Sequence, residues 1–239
     1  MPYLTKKQIK NGYFNIIGGF PDEEIVHEVS EYKGEERLCI ACTQLNPKIY
    51  EELMPGTKGY SERDMKRVLA EWLDFLRTNT KALKALHFNS RVPQRLFDAA
   101  CCQENLQELR FKWGAYSDLS ALQNLKKLKY LYLGTGARVE DIAVLGKLKN
   151  LIVLCAENFK RIEDYSPLAS LDKLEQLVIR ASIYGSISMK DLEFLREMKS
   201  LSSVSIGATF KRKYTPEELT DLYASLPNIS AFRVNGFIL

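Results

Sequence analysis

Histidine is nearly absent from this 239-residue chain: only His27 and His87 occur. So few imidazoles exclude most acid–base relays and histidine-rich metal sites. No Ser/His/Asp grouping, carboxylate pair or cofactor fingerprint stands out elsewhere. Gly134-Thr135-Gly136 lacks the third glycine and the Lys-Ser/Thr of a phosphate loop, so it reads as a turn. Long apolar runs are missing as well. None approaches the roughly 18 residues of a membrane span, and in "MPYLTKKQIKNGYFNIIGGF" the pair Ile16-Ile17 is cut off by Gly18-Gly19, too short for a signal core. A cytoplasmic location is the expectation. The cysteines Cys39, Cys42, Cys101, Cys102 and Cys155 are odd in number and lack framework spacing, which fits a reducing compartment. Cys39-Ile-Ala-Cys42 has redox or zinc spacing but no second CxxC to complete a site, and strand residues three apart face opposite ways. No metal, cofactor or catalytic residue is expected.

Charge of one sign is also lacking. The formal net charge is +4, with both signs mixed along the chain. That argues against a nucleic-acid or membrane partner, although a nucleic-acid reading would draw on Arg110, Lys112, Lys211, Arg212 and Lys213. What the chain does have is 46% hydrophobic and 27% charged residues, enough to build a folded core.

The apolar residues are periodic. Starts at Leu83, Leu106, Leu128, Leu151, Leu174, Leu201 and Ile229 are spaced 23, 22, 23, 23, 27 and 28 residues apart. Each start is followed by apolar residues three and five positions on, as in Leu83-Leu86-Phe88, Leu106-Leu109-Phe111 and Leu128-Leu131-Leu133. The series continues in Leu151-Leu154-Ala156, Leu174-Leu177-Ile179, Leu201-Val204-Ile206 and Ile229-Phe232-Val234. A second column runs in phase with the first: "SDLSALQNL", "EDIAVLGKL", "EDYSPLASL" and "KDLEFLREM" place Asp118, Asp141, Asp164 and Asp191 before an apolar run. A short strand would send the leucines inward and the residues between them outward. Each Asp would then cap the returning turn by accepting backbone N–H groups.

This L-x-x-L-x-L period resembles the leucine-rich repeat family, and the D-[IL]-x-x-L-x-x-L halves resemble its short bacterial, internalin-like class. The resemblance implies an α/β fold. It would be a solenoid of about seven parallel short strands with helical or turn returns on the convex side, built on a protein-binding rather than catalytic plan. The asparagine expected after each strand is replaced by Arg91, Gly114, Gly136, Phe159, Ser182 and Thr209. The last two repeats carry insertions at "ASIYGSISMKD" and "GATFKRKYTPEEL", and "TPEELTDLYASLP" reads as a helix capped by Thr215 with Pro216 in its first turn.

Residues 1–82 do not share the period. The expectation is a small α+β N-terminal unit over 1–60, with strands in "NGYFNIIGGF", "EIVHEVSEYKG" and "ERLCIACTQL". A capping helix and link over 61–82 would follow, then the repeat domain over 83–239. "SERDMKRVLAEWLDFLRTN" carries Met65, Val68, Leu69, Trp72, Leu73 and Leu76 on one side, with Ser61 as cap. "PQRLFDAACCQENL" reads as a second helix.

The register also names the outward columns of the strands. Arg110, Lys112, Tyr130 and Tyr132 form a patch with Trp113 at its edge; Val153 extends it, and Glu157 lies beside Arg180. Tyr, Trp and Arg are enriched at binding hot spots, so these eight residues are the expected partner-binding set. Cross-strand packing or a ladder ion pair would account for the same residues without a partner. The resulting expectation is a non-enzymatic module that binds a protein through the concave face as a monomer, with pairing through the apolar "NGFIL" edge as the alternative. The alternative is an enzyme or adaptor whose N-terminal unit carries an activity targeted by the repeats, which would require a low-pKa, exposed thiol in the CIAC segment.

Overall fold

The structure, a computed structural model, describes residues 3–14, 24–45, 59–182 and 185–239. Its spine is a ten-stranded sheet. The strands are β1 (Ile25–Val26), β2 (Arg37–Ile40), β3 (Ala85–Pro93), β4 (Glu108–Ala115), β5 (Tyr130–Leu133), β6 (Val153–Glu157) and β7 (Gln176–Arg180). β9 (Ser203–Gly207), β11 (Ala231–Val234) and β12 (Phe237–Ile238) complete it. Their order along the sheet is their order along the chain, and every pairing is parallel except the final β11–β12 hairpin. The seven strands expected from the period, β3 to β7, β9 and β11, pair in the register the columns require: Leu86, Leu109, Leu131, Leu154, Leu177, Val204 and Phe232 stand side by side. The leucine-rich repeat fold is thus present in the chain's own geometry.

All seven of those side chains are buried in one continuous core, because no single coil has enough apolar surface to enclose its own leucines. Phe88, Phe97, Phe111 and Tyr116 form an aromatic run inside it, with successive ring centroids about 5 Å apart. Asp118, Asp141, Asp164 and Asp191 each accept the N–H two residues on, at 2.7, 2.7, 2.9 and 3.1 Å. They thereby open the returns Ser120–Asn124, Leu145–Lys147, Ser166–Ser170 and Glu193–Glu197. These returns are single 3-10 turns, in the 22–23-residue coils and in the 27-residue coil from Leu174 to Leu201 alike. Where the period lengthens, two further pieces appear. β8 (Ser188–Met189) and β10 (Thr209–Phe210) pair in parallel as a separate small sheet. The helix Pro216–Ala224 starts with a full capping box between Thr215 and Glu218.

An asparagine ladder does exist, at a different place. Asn105, Asn150 and Asn228, each just before a strand's first core residue, donate to the carbonyls of Lys81, Lys126 and Lys199 in the preceding coil. Lys127 and Lys173 return the contact from the following coil, at 2.7 and 2.8 Å.

β1 and β2, which fall within the N-terminal unit of the sequence reading, lie in the same sheet as the repeats. Leu38 and Ile40 stand beside Leu86 and Phe88 in register and join the common core. The helix Glu62–Thr78, with Ser61 accepting the Asp64 N–H at 3.1 Å, forms the return between β2 and β3 and packs against the helix Gln94–Ala100. Val68, Trp72 and Leu76 are its inward side. The expected strand in "EIVHEVSEYKG" shrinks to Ile25–Val26. Beyond it Glu31 accepts the N–H groups of His27 and Glu28 and bends the chain into a 3-10 turn, Val29–Glu31. The expected strand in "NGYFNIIGGF" lies mostly outside the described residues.

Candidate binding face

The outward columns of β4 to β7 contain the expected patch, and the first residues of the chain lie across it. This strap, Tyr3–Phe14, contains the helix α1 (Lys6–Asn11). Thr5 accepts the Gln8 N–H while the Gln8 side chain accepts the Thr5 N–H, and Leu4 and Ile9 flank this box on the apolar side. Such a box with its flanking apolar pair is a strong local start signal. "LTKKQI" therefore announces a helix that the period-based reading passed over. Gly12, at φ +84°, ends the helix and turns Tyr13 and Phe14 onto the sheet.

Two apolar anchors and several polar clamps hold the strap. Leu4 and Phe14 are buried with Tyr132, Ile152, Val153 and Cys155 in a second apolar cluster, separate from the main core. Tyr13 stacks on Tyr130 with centroids 4.1 Å apart and planes within 3°. Phe14 meets Tyr132 edge-on at 5.6 Å, and the Arg110 guanidinium lies 5.0 Å from the Phe14 ring centre. The Glu175 carboxylate accepts the N–H groups of Tyr3 and Leu4 at 2.6 and 2.8 Å, and Gln176 Oε1 accepts that of Tyr13 at 2.7 Å. The Tyr13 hydroxyl donates to Glu108 at 3.1 Å.

Glu108 is the hub of a buried polar group. Its carboxylate accepts from His87 Nε2 at 2.9 Å and from Arg37 at 3.1 Å. Burial alone would raise its pKa, but the hydrogen bonds and charges of His87 and Arg37 outweigh burial and hold it at about 2. Burial, reinforced by Glu108, pushes the Tyr13 phenol up. Burial likewise pushes up Tyr132, whose hydroxyl donates to Glu157 at 2.5 Å, and Cys155. Arg180 Nε donates to the other oxygen of Glu157 at 2.5 Å. At neutral pH this face therefore offers protonated phenols and the ionised Glu108, with Arg110 and Arg180 around an apolar floor.

The eight expected residues divide accordingly. Arg110, Tyr130, Tyr132 and Val153 lie under or against the strap. Glu157 and Arg180 pair beside it. Lys112 and Trp113 stand at the rim, with the ammonium 4.6 Å from the indole centre and Trp113 45% exposed. Glu108, Glu175 and Gln176 are not among the expected residues; Glu108 and Gln176 share the outward column of Tyr130 and Val153, and Glu175 directly precedes β7. Cys42 is fully buried, and burial pushes its thiol up to about 12, the opposite of the activated thiol that the alternative reading needs.

No protein-family model matches the chain, and no curated protein matches it. Among solved structures, the chain is similar to the internalin inlF of Listeria monocytogenes, at 19% identity and a TM-score of 0.46, covering 65% of this chain and 55% of that one. Internalin C2 of the same organism is 23% identical with a TM-score of 0.47, covering 72% and 74%. The leucine-rich repeat ectodomain of the plant receptor kinase GASSHO1/SCHENGEN3 from Arabidopsis thaliana is 12% identical with a TM-score of 0.43, covering 69% and 28%. The chain thus spans about half of the first of these.

Proposed function

We propose that this protein is a non-enzymatic interaction module that binds a protein partner through the concave face of its solenoid. One observation carries the reading: the face already holds a peptide segment by the means used in peptide recognition. Glu175 and Gln176 receive backbone N–H groups, and aromatic side chains receive Tyr13 and Phe14. A rigid surface that grips one backbone and two rings can grip another chain with the same features. The mixed charges around it, Glu108, Glu157 and Glu175 against Arg110 and Arg180, favour protein over nucleic acid. The five free cysteines support a reducing, cytoplasmic setting, and the module is read as a monomer.

The test compares proteins retained from native lysate by the chain and by an Arg110→Ala/Tyr132→Ala variant with matched thermal unfolding. A protein held by the first and lost by the second supports the reading. Equal retention moves the site elsewhere, and retention that falls steeply with salt favours nucleic acid.

A further inference from the structure

We infer that the strap Tyr3–Phe14 is a built-in competitor for the concave face, and that the external ligand of this face is a short segment copying the strap's chemistry. That segment would carry an aliphatic anchor followed nine residues later by a Tyr-Phe pair. The inference rests on the proposed binding role and names both the ligand class and its control.

Three features of the packing separate the strap from the solenoid. Its contacts are those of a bound peptide: two buried anchors, one stacked ring and three backbone N–H groups read by side chains, while the helix between them buries none of its own residues. Secondly, its apolar cluster is separate from the leucine core, so lifting the strap leaves the columns that stabilise the coils untouched. Finally, the fit is loose on one side. A crevice of about 210 Å³ remains among Ile9, Gly12, Phe14, Cys155, Val178 and Arg180. A cleft of about 900 Å³ opens between Lys6, Ile9, Lys10 and the start of the later strands at Ser202 and Ser230. An element flanked by open clefts rather than by packed side chains, with few buried contacts of its own, belongs to the low-stability end of local opening.

What the strap covers defines what replaces it. Glu175 requires two successive free N–H groups, which the start of a helix or an extended end supplies. Tyr130 requires a flat ring, Tyr132 and Arg110 a second ring, and the apolar cluster around Ile152 and Val153 an aliphatic anchor. An incoming segment with these features gains the same contacts and must first displace the strap, so its apparent affinity is reduced by the fraction of time the face is closed.

Cys155 supplies the readout, because it lies fully buried on the outward column beneath the strap, whereas Cys101 lies in the leucine core. The full-length chain and a Leu4→Ala/Phe14→Ala variant would be reacted with a small thiol reagent under native conditions, with the modified cysteine located by peptide mass mapping. A labelled synthetic peptide, YLTKKQIKNGYF, is the competing probe. The expected result is that Cys155 reacts at least tenfold faster in the variant while Cys101 does not change. The peptide binds the variant at least tenfold more tightly than the wild-type chain and protects Cys155, and a peptide with the two anchors changed to alanine does neither. Reaction of Cys155 and Cys101 at one common rate in both proteins would mean that the strap opens only when the solenoid unfolds, overturning the inference. Equal peptide binding to both proteins, or binding without protection of Cys155, would overturn it too. A stable dimer of wild-type chains exchanging straps would replace the foreign segment with a second copy, and is equally fatal. The binding reading is judged separately: a partner lost by Arg110→Ala/Tyr132→Ala but indifferent to the peptide leaves that reading standing and removes the competitor.

Discussion

The described residues form two apolar clusters, and they are built on different logic. The larger one inside the solenoid draws on the three strand positions and the apolar residues of the return in each coil, so successive coils contribute alike and pack on their neighbours. The smaller one, on the outer side of β5 and β6, is made by bringing a distant stretch of chain onto the sheet. The first is as strong as the number of coils. The second depends on two anchors and a few hydrogen bonds, and it is the one that the proposed ligand would replace. A stable array and an adaptable surface are thereby carried on opposite faces of the same strands, each residue's side fixed by the alternation of the pleat.

The difference is broken most severely from the inside. Leu131→Asp places an unpaired carboxylate at the centre of the array and should cost more than about 4 kcal/mol, abolishing cooperative thermal unfolding; an unchanged melting curve would refute the register. Phe111→Ala removes the ring that Phe88, Phe97 and Tyr116 pack around and should cost about 3–5 kcal/mol, measured as a shift in the urea midpoint.

Glu108 belongs to the outward face, beneath Tyr13. Its pKa, near 4.5 when unperturbed, is about 2 in the folded chain. Its stabilisation is therefore complete above pH 4.5 and lost as the pH falls from there towards 2, on the order of 3 kcal/mol in all. Glu108→Gln should flatten the acid limb of the stability profile across that window, and an unaltered acid limb would remove Glu108 as its cause. The smallest effect belongs to the outer ladder: Asn150→Ala deletes the bonds to Lys126 and Lys173 and should cost about 1 kcal/mol, read from the same urea titration.

Much of the solenoid was legible because its cause is periodic. Leu131, Leu154 and Leu177 recur at one spacing, and only a strand in each coil buries them all. Asp118, Asp141, Asp164 and Asp191 recur in phase because each return needs the same N–H groups satisfied. Leu38 and Ile40 escaped that search although they occupy the same columns. Their coil starts at the charged Glu35 and returns through a long helix, so Leu38 stands 48 residues before Leu86, about twice the period. The candidate face was half legible: alternation named Tyr130, Tyr132 and Val153 as outward. Nothing in their local pattern could show that Leu4 and Phe14 cover them.

The sequence by itself determined the strands of the periodic coils, their core residues and the start of each of their returns, since these follow from local alternation, capping and a repeated burial requirement. Only the tertiary structure decided that the outward face is closed by the chain's first residues. That contact joins Leu4 to Glu175 and Tyr13 to Tyr130 across more than a hundred positions, and complementary shape and hydrogen bonding between remote segments leave no period for the sequence to display.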